Sequence, residues 1–195
     1  MTFDWHSILG SIAGLIAMLA VIPYIKDIIH GTTRPNIFSW ALWVLLLGIS
    51  LLAQVSAGAS WSALMILGDI VGTSTVLMLC LWGYSYGKYG RVEWVCTILA
   101  LVAIALWQLA HEPVLAIACA IIADLMAAVP TLIKAYKDPW SEAPMQFFII
   151  SFASLLALFS STLLDAANLL FPAYLLLLNG SIGLLAYFGR RLKAK

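Results

Sequence analysis

Long apolar segments separated by short polar loops dominate this sequence. They recur seven times, and each is about 20 residues long, which is the length of helix needed to cross about 30 Å of hydrocarbon. Because the apolar residues are continuous and do not alternate with polar ones, the pattern predicts helices and excludes the strands of a membrane barrel. The predicted spans are approximately residues 7–28, 36–56, 62–86, 92–110, 113–134, 143–163 and 170–189.

The composition indicates that lipid is the solvent for most of this surface. Of the 195 residues, 64% are hydrophobic and 10% are charged, whereas a soluble domain is about a quarter charged and under half apolar. We therefore expect an all-α integral membrane protein without an inserted soluble domain. The ten Lys and Arg residues form no basic stripe, so nucleic-acid binding is not expected. The three cysteines follow no metal-binding spacing, and we expect neither a metal nor a cofactor.

The charges between the predicted spans indicate the orientation of the chain. If there are seven spans, all ten Lys and Arg residues fall on one side of the membrane. Basic residues stay on the cytoplasmic side, so we expect an outside N-terminus and a cytoplasmic C-terminus, in a bacterial cytoplasmic membrane. The first apolar segment has no basic leader, and we expect it to be a retained span and not a cleaved signal peptide.

One motif occurs twice, about a hundred residues apart. Residues 21–43 and 128–151 each run from an apolar helix through a proline to a lysine, and then cross a polar loop to a second proline. The prolines inside the apolar segments are Pro23 and Pro130, and those that follow the loops are Pro35 and Pro144. We expect two three-helix repeats joined by an unmatched linker helix, an arrangement typical of transporters. The divisions are residues 1–87, 88–111 and 112–195.

The 3 + 1 + 3 arrangement and a proline near the cytoplasmic end of spans one and five resemble the SWEET and PQ-loop transporters. The signature proline is matched by Pro23 and Pro130, but Tyr24 and Thr131 stand where the family has glutamine. Nicotinamide-riboside carriers share a similar seven-span plan, and KDEL-receptor-like proteins share the fold without transporting. The resemblance implies a central cavity between two three-helix bundles. It also makes the two prolines candidate gate hinges, with a static kink as the alternative. Homo-oligomerisation is left open.

Three strongly polar residues, Asp69, Asp124 and Asn179, lie within apolar spans. A charged carboxylate at that depth costs roughly 2.5–3.5 kcal/mol, and no Lys or Arg lies at a matching depth. When span three is aligned on span seven, Asp69 falls on Asn179, and these positions match polar pocket residues in the family that the chain resembles. We expect all three to bind substrate, with Thr73 and Ser181 as weaker candidates. The alternative is a neutral acid or an amide that is hydrogen-bonded across a helix interface.

Other notable residues have structural interpretations. Trp40 and Trp43, one turn apart, are interpreted as interfacial anchors, although either ring is also able to cap a pocket. Lys134 is interpreted as a topology determinant, and Asp138 and Glu142 as solvated loop charges. Small residues at four-residue spacing predict close packing of spans one and three. These glycines are Gly10, Gly14, Gly68 and Gly72.

The sequence contains no catalytic motif, and we therefore do not expect an enzyme. The favoured function is transport of a small polar solute, such as a sugar, an amino acid, a nucleoside or a vitamin, through a cavity between the repeats. Coupling to protons is left open, because the buried acids can carry them. The alternative is a receptor, chaperone or assembly subunit with the same fold, and a water-accessible central cavity would distinguish the two. The expected partners are the solute and the lipid bilayer.

Overall fold

The computed structural model describes residues 4–56, 63–87, 89–109, 113–162 and 166–193. Within these ranges the chain is all-α, with seven α-helices and no strand, so the predicted helical class is confirmed. A π-helical turn, Cys80–Tyr84, continues α3, and a short 3-10 turn, Pro139–Ser141, precedes α6. The helices are α1 Trp5–Ile29, α2 Ile37–Ser56, α3 Ala63–Leu79, α4 Arg91–Leu109, α5 Pro113–Lys137, α6 Pro144–Ser160 and α7 Ala166–Lys193.

Several helices have the length and composition of membrane spans. Among the described residues, four segments are long and apolar enough to cross a membrane, and two shorter helical segments, Ile37–Gly48 and Pro144–Ser160, are also apolar. Many large apolar side chains face outwards, as lipid contact requires; Leu81 and Leu192 are 64% and 75% exposed. The chain is therefore an all-α protein compatible with integration into a membrane, and the count of seven spans stays a prediction. The four long segments are Trp5–Ile29, Met65–Tyr84, Ala118–Lys137 and Leu169–Leu192.

The helices pack in the same order in the two halves of the chain. In the first half α3 packs against both α1 and α2, and in the second half α7 packs against both α5 and α6. Between the halves, α1 contacts α6 and α2 contacts α5, while α4 packs mainly against α5. Exchanging α1, α2 and α3 for α5, α6 and α7 leaves the pairing of these six helices unchanged, whereas α4 packs mainly on one half. The division into two repeats and a linker stays a prediction. Two three-helix repeats would require this pairing of helices.

The largest buried cluster lies where the two halves meet. It joins Tyr24 of α1, Trp40 of α2, Val76 of α3, Phe147 of α6 and Ile182 of α7, all at most 2% exposed. The rings of Tyr24 and Trp40 lie 5.1 Å apart. Because each half contributes large side chains to this cluster, the relative position of the halves depends on it.

Close packing of α1 against α3 depends on small residues, as the glycine spacing predicts. A Cβ atom added at Gly68 would lie 2.3 Å from the carbonyl oxygen of Gly14, and one added at Gly72 would lie 3.1 Å from Cβ of Val21. Since the first contact is with backbone, no side-chain movement can relieve it. The predicted packing of these helices is therefore confirmed, and Gly68 is the position that tolerates no side chain.

We expect Gly68→Ala to destabilise the protein by about 1–3 kcal/mol, because the added methyl group overpacks the α1–α3 interface. Gly48→Ala is the matched control, since a Cβ there would make an ordinary 3.7 Å contact with Cδ1 of Ile70. Thermal denaturation of the two purified variants in detergent measures the difference. Equal midpoints for both variants would show that the α1–α3 contact is looser than described.

Candidate functional site

A cavity of about 50 Å³ lies among α2, α3, α5, α6 and α7. Leucine and isoleucine side chains and four aromatic rings form its apolar wall, and five polar side chains face it from four helices. One water molecule needs roughly 10–15 Å³ of such space, so the cavity has room for a few waters or for a small chemical group. The aromatic residues are Trp40, Trp43, Phe147 and Phe171, and the polar residues are Asp69, Thr73, Asp124, Gln146 and Asn179.

Two carboxyl groups reach this cavity, and each accepts a hydrogen bond from a hydroxyl group. The Tyr174 hydroxyl donates to Oδ2 of Asp124 over 2.8 Å, and the Thr73 hydroxyl donates to Oδ1 of Asp69 over 3.4 Å. Asp124 is 6% exposed. None of the described residues that line the cavity is Lys, Arg or His. The two acids therefore have polar partners but no cationic one.

The amide groups in the cavity differ in how they are bonded. The amide nitrogen of Asn179 donates to the carbonyl of Leu175 on its own helix over 2.9 Å. Gln146 is 5% exposed, and its Oε1 atom has no hydrogen-bond partner among the described residues. A buried acceptor without a donor costs about 1–3 kcal/mol. Gln146 therefore favours a bound water or ligand in the cavity. It was not among the expected site residues, although its amide, like that of Asn179, lies within a predicted apolar span, residues 143–163.

The structure brings together four of the five residues expected to bind substrate: Asp69, Thr73, Asp124 and Asn179 all line the cavity. Ser181 lies elsewhere, because it is exposed and its hydroxyl donates to the carbonyl of Leu177 over 2.7 Å. Two residues along a helix turn the side chain by about 200°, so Ser181 and Asn179 face opposite ways. That the four lining residues bind a substrate stays a prediction.

Trp40 does not anchor the protein at an interface, so this interpretation is wrong. Its side chain is 2% exposed and lines the cavity. The ring of Trp43 meets it edge to face at 5.3 Å and lines the same cavity. Both rings therefore lie at a pocket, which is the position that the alternative interpretation, a cap on a pocket, requires.

Glu142 is not a solvated loop charge, so the expectation for this residue is also wrong. Its side chain is fully buried, and its Oε1 lies 2.5 Å from Nζ of Lys134, which is itself buried. The Tyr24 hydroxyl donates to Oε2 of Glu142 over 2.8 Å, and Lys134 also donates to the Arg34 carbonyl. We call Tyr24, Lys134, Glu142 and the Arg34 carbonyl the ion-pair cluster. Its members come from four separate parts of the chain.

Further contacts tie the loops around the ion-pair cluster together. Arg190 of α7 donates through Nε to the carbonyl of Pro139 over 3.1 Å and through a terminal nitrogen to the carbonyl of Glu142 over 2.5 Å. Nζ of Lys134 lies 5.2 Å from the ring centre of Tyr86.

The two candidate hinge prolines lie next to the ion-pair cluster. Pro23 immediately precedes Tyr24 in α1, and Pro130 precedes Lys134 by one turn in α5. Both helices continue through their prolines. A proline inside a helix removes the backbone hydrogen bond to the residue one turn earlier, so both helices are weakened close to this cluster. A hinge role for either proline stays a prediction.

Comparisons of this chain with protein-family models, with curated proteins and with solved structures give no match. The resemblance to SWEET and PQ-loop transporters therefore stays a prediction, and the function is argued below from the cavity and the ion-pair cluster.

We expect Lys134→Met and Glu142→Met each to lower the free energy of unfolding by roughly 3–5 kcal/mol, because each leaves a buried charge without its partner. The double variant should be more stable than either single variant, since it buries no unpaired charge. Thermal denaturation in detergent measures all three. Lys26→Met, at an exposed lysine of α1, is the control and should change stability by about 0.5 kcal/mol or less. Single variants as stable as this control would show that the pair is not buried.

Proposed function

We propose that this protein is a membrane transporter that moves a small polar solute by alternating access to the central cavity. The observation that carries the proposal is the cavity itself, where two carboxyl groups face a shared space inside an apolar helix bundle. Ionisable groups at such depth are costly, and in membrane proteins they mark pathways for ions or substrates. Sugars, amino acids, nucleosides and vitamins are the solute classes considered.

In this proposal, the volume of the cavity identifies the state of the transport cycle. Sites for small molecules usually enclose about 300–1,000 Å³, whereas this cavity has about 50 Å³. A whole sugar or nucleoside does not fit in it. In the proposal the described conformation is a closed one, and the cavity enlarges when the two halves separate along the α1–α6 and α2–α5 contacts.

The ion-pair cluster supplies a closure for one end of the cavity. Trp40 lines the cavity, Tyr24 packs on Trp40, and the Tyr24 hydroxyl is bonded to Glu142. Glu142 in turn pairs with Lys134. We assign this end to the cytoplasmic side, since the basic residues of the predicted loops lie there. Opening then moves α1 and α5 at Pro23 and Pro130, and it separates these contacts.

A second function is favoured by the same small volume. A cavity that never enlarges suits a receptor, chaperone or assembly subunit, in which Asp124 and Tyr174 simply hold α5 against α7 through their hydrogen bond. The two functions differ in whether the cavity becomes accessible to water from both sides of the membrane.

Accessibility of Thr73 tests the proposal directly. In a background in which Cys80, Cys96 and Cys119 are replaced by alanine, we expect Thr73→Cys to react with a membrane-impermeant methanethiosulfonate from either face of oriented vesicles. Ser154→Cys is the control, because Ser154 is fully buried on α6 outside the cavity, and it should not react. Reaction of Thr73→Cys from one face only, or from neither, would contradict alternating access and favour the second function.

Transport is measured on the full chain in proteoliposomes, by the uptake of a panel of radiolabelled sugars, amino acids, nucleosides and vitamins. The panel is run with and without an imposed proton gradient, since carboxyl groups can carry protons. We expect Asp69→Asn and Asp124→Asn each to reduce transport at least tenfold, because each removes a charge from the cavity. Ser181→Ala, also on a helix that reaches the cavity, should retain transport. Unchanged transport by Asp69→Asn would remove that residue from the mechanism.

A further inference from the structure

We propose that the solute is a small organic cation whose positively charged head group lies between Asp69 and Asp124. This inference rests on the proposed function and names its substrate class. It is carried by the charge of the cavity, by its aromatic wall and by the unpaired oxygen of Gln146.

The charge of the cavity favours a cation. Asp69 and Asp124 line one small cavity, and no described lining residue carries a positive charge. The ion-pair cluster shows that this chain does pair a buried acid with a base where its own structure requires one. A neutral solute would supply hydrogen bonds but no positive charge to either carboxyl group. A bound cation reduces the net charge, and the hydroxyl groups of Tyr174 and Thr73 stabilise what remains.

The aromatic wall beside the acids also favours a cation. Trp40, Trp43, Phe147 and Phe171 all line the cavity. The faces of aromatic rings carry partial negative charge and attract cations, most strongly at tryptophan, and aromatic cages bind methylated ammonium groups. Such a wall suits an ammonium group with alkyl substituents, because the alkyl groups can pack against the rings while the charge faces the carboxyl groups. The wall therefore favours an organic cation over a metal ion.

The amide groups of Gln146 and Asn179 determine which further hydrogen bonds the cavity can make to a solute. Gln146 Oε1 is buried without a donor among the described residues, and it belongs to a side chain that lines the cavity. The amide nitrogen of Asn179 is already bonded to its own helix. The cavity thus presents carboxylate and amide oxygens, which accept hydrogen bonds, as well as N–H donors of the Gln146 and Asn179 amides. A phosphate or a free carboxylate would bring a further negative charge and no donor, so an N–H or O–H donor with a positive charge is the better match.

The volume sets the size of the head group. About 50 Å³ admits an ammonium or a methylated ammonium group, and any longer substituent needs the enlarged state of the cavity. We therefore expect affinity to depend on the charge and methylation of the head group more than on the rest of the solute.

Binding of paired probes to the purified full chain tests the charge. Choline and its neutral isostere 3,3-dimethylbutan-1-ol have nearly the same shape, so the comparison isolates the positive charge. We expect choline, tetramethylammonium or methylammonium to quench or shift tryptophan fluorescence saturably. Choline should bind at least tenfold more tightly than the isostere. Asp69→Asn and Asp124→Asn should each weaken binding at least tenfold, and Ser181→Ala should not change it.

Three results would overturn the inference: choline and its isostere binding equally, none of the three organic cations binding, or sodium and potassium chloride matching the organic cations. If one Asp→Asn variant does not fold, the other is sufficient for the test, provided that it is monodisperse on size exclusion. The comparison of choline with its isostere uses the unaltered chain and needs no variant. If neutral probes bind as well as cations while Thr73→Cys reacts from both faces, the substrate class is wrong and the proposed function stands. If cations bind selectively while Thr73→Cys reacts from one face, the cation site stands and transport is wrong.

Discussion

Polar groups inside an apolar helix bundle are stable only when they are paired, hydrated or bound to a ligand, and this constraint governs both buried sites of the molecule. At one of them Lys134 and Glu142 neutralise each other. The Tyr24 hydroxyl donates a hydrogen bond to Glu142, and the Arg34 carbonyl accepts one from Lys134. At the other, the acids receive hydroxyl donors but no cation, and an amide oxygen has no donor among the described residues. The described residues supply a cation to the acid of the first site and supply none to the acids of the second.

The two sites are joined through side chains and do not act as separate features. The Tyr24 ring lies between them, with its hydroxyl on Glu142 and its face near Trp40, which lines the cavity. A movement that separates Tyr24 from Glu142 therefore disturbs the wall of the cavity as well. In the proposed transport cycle, this connection would couple opening of one end to exposure of the central acids.

Much of this architecture was predictable from consecutive residues. The apolar segments predicted the helices, and the four-residue glycine spacing predicted the α1–α3 packing, because both depend on periodicities within one or two helices. The convergence of Asp69, Thr73, Asp124 and Asn179 followed from their position within apolar segments. Ser181 shows the limit of that reasoning, since a residue's position along a helix does not say which way its side chain faces. Trp40 and Glu142 were misjudged because each lies near the end of an apolar segment, where an exposed position is the usual one.

The sequence by itself determined that the chain is helical, that lipid suits its surface, and that a few acids lie where water is scarce, because these properties depend on local composition and spacing. Only the tertiary structure decided which partners those groups have. Tyr24 and Glu142 are 118 residues apart in the chain, and Tyr174 and Asp124 are 50 apart. Such contacts depend on how whole helices pack and rotate against one another, and no short stretch of sequence encodes that. The placement of one acid beside a lysine, and of two others at a cavity with no lysine among its described lining residues, is therefore a property of the fold.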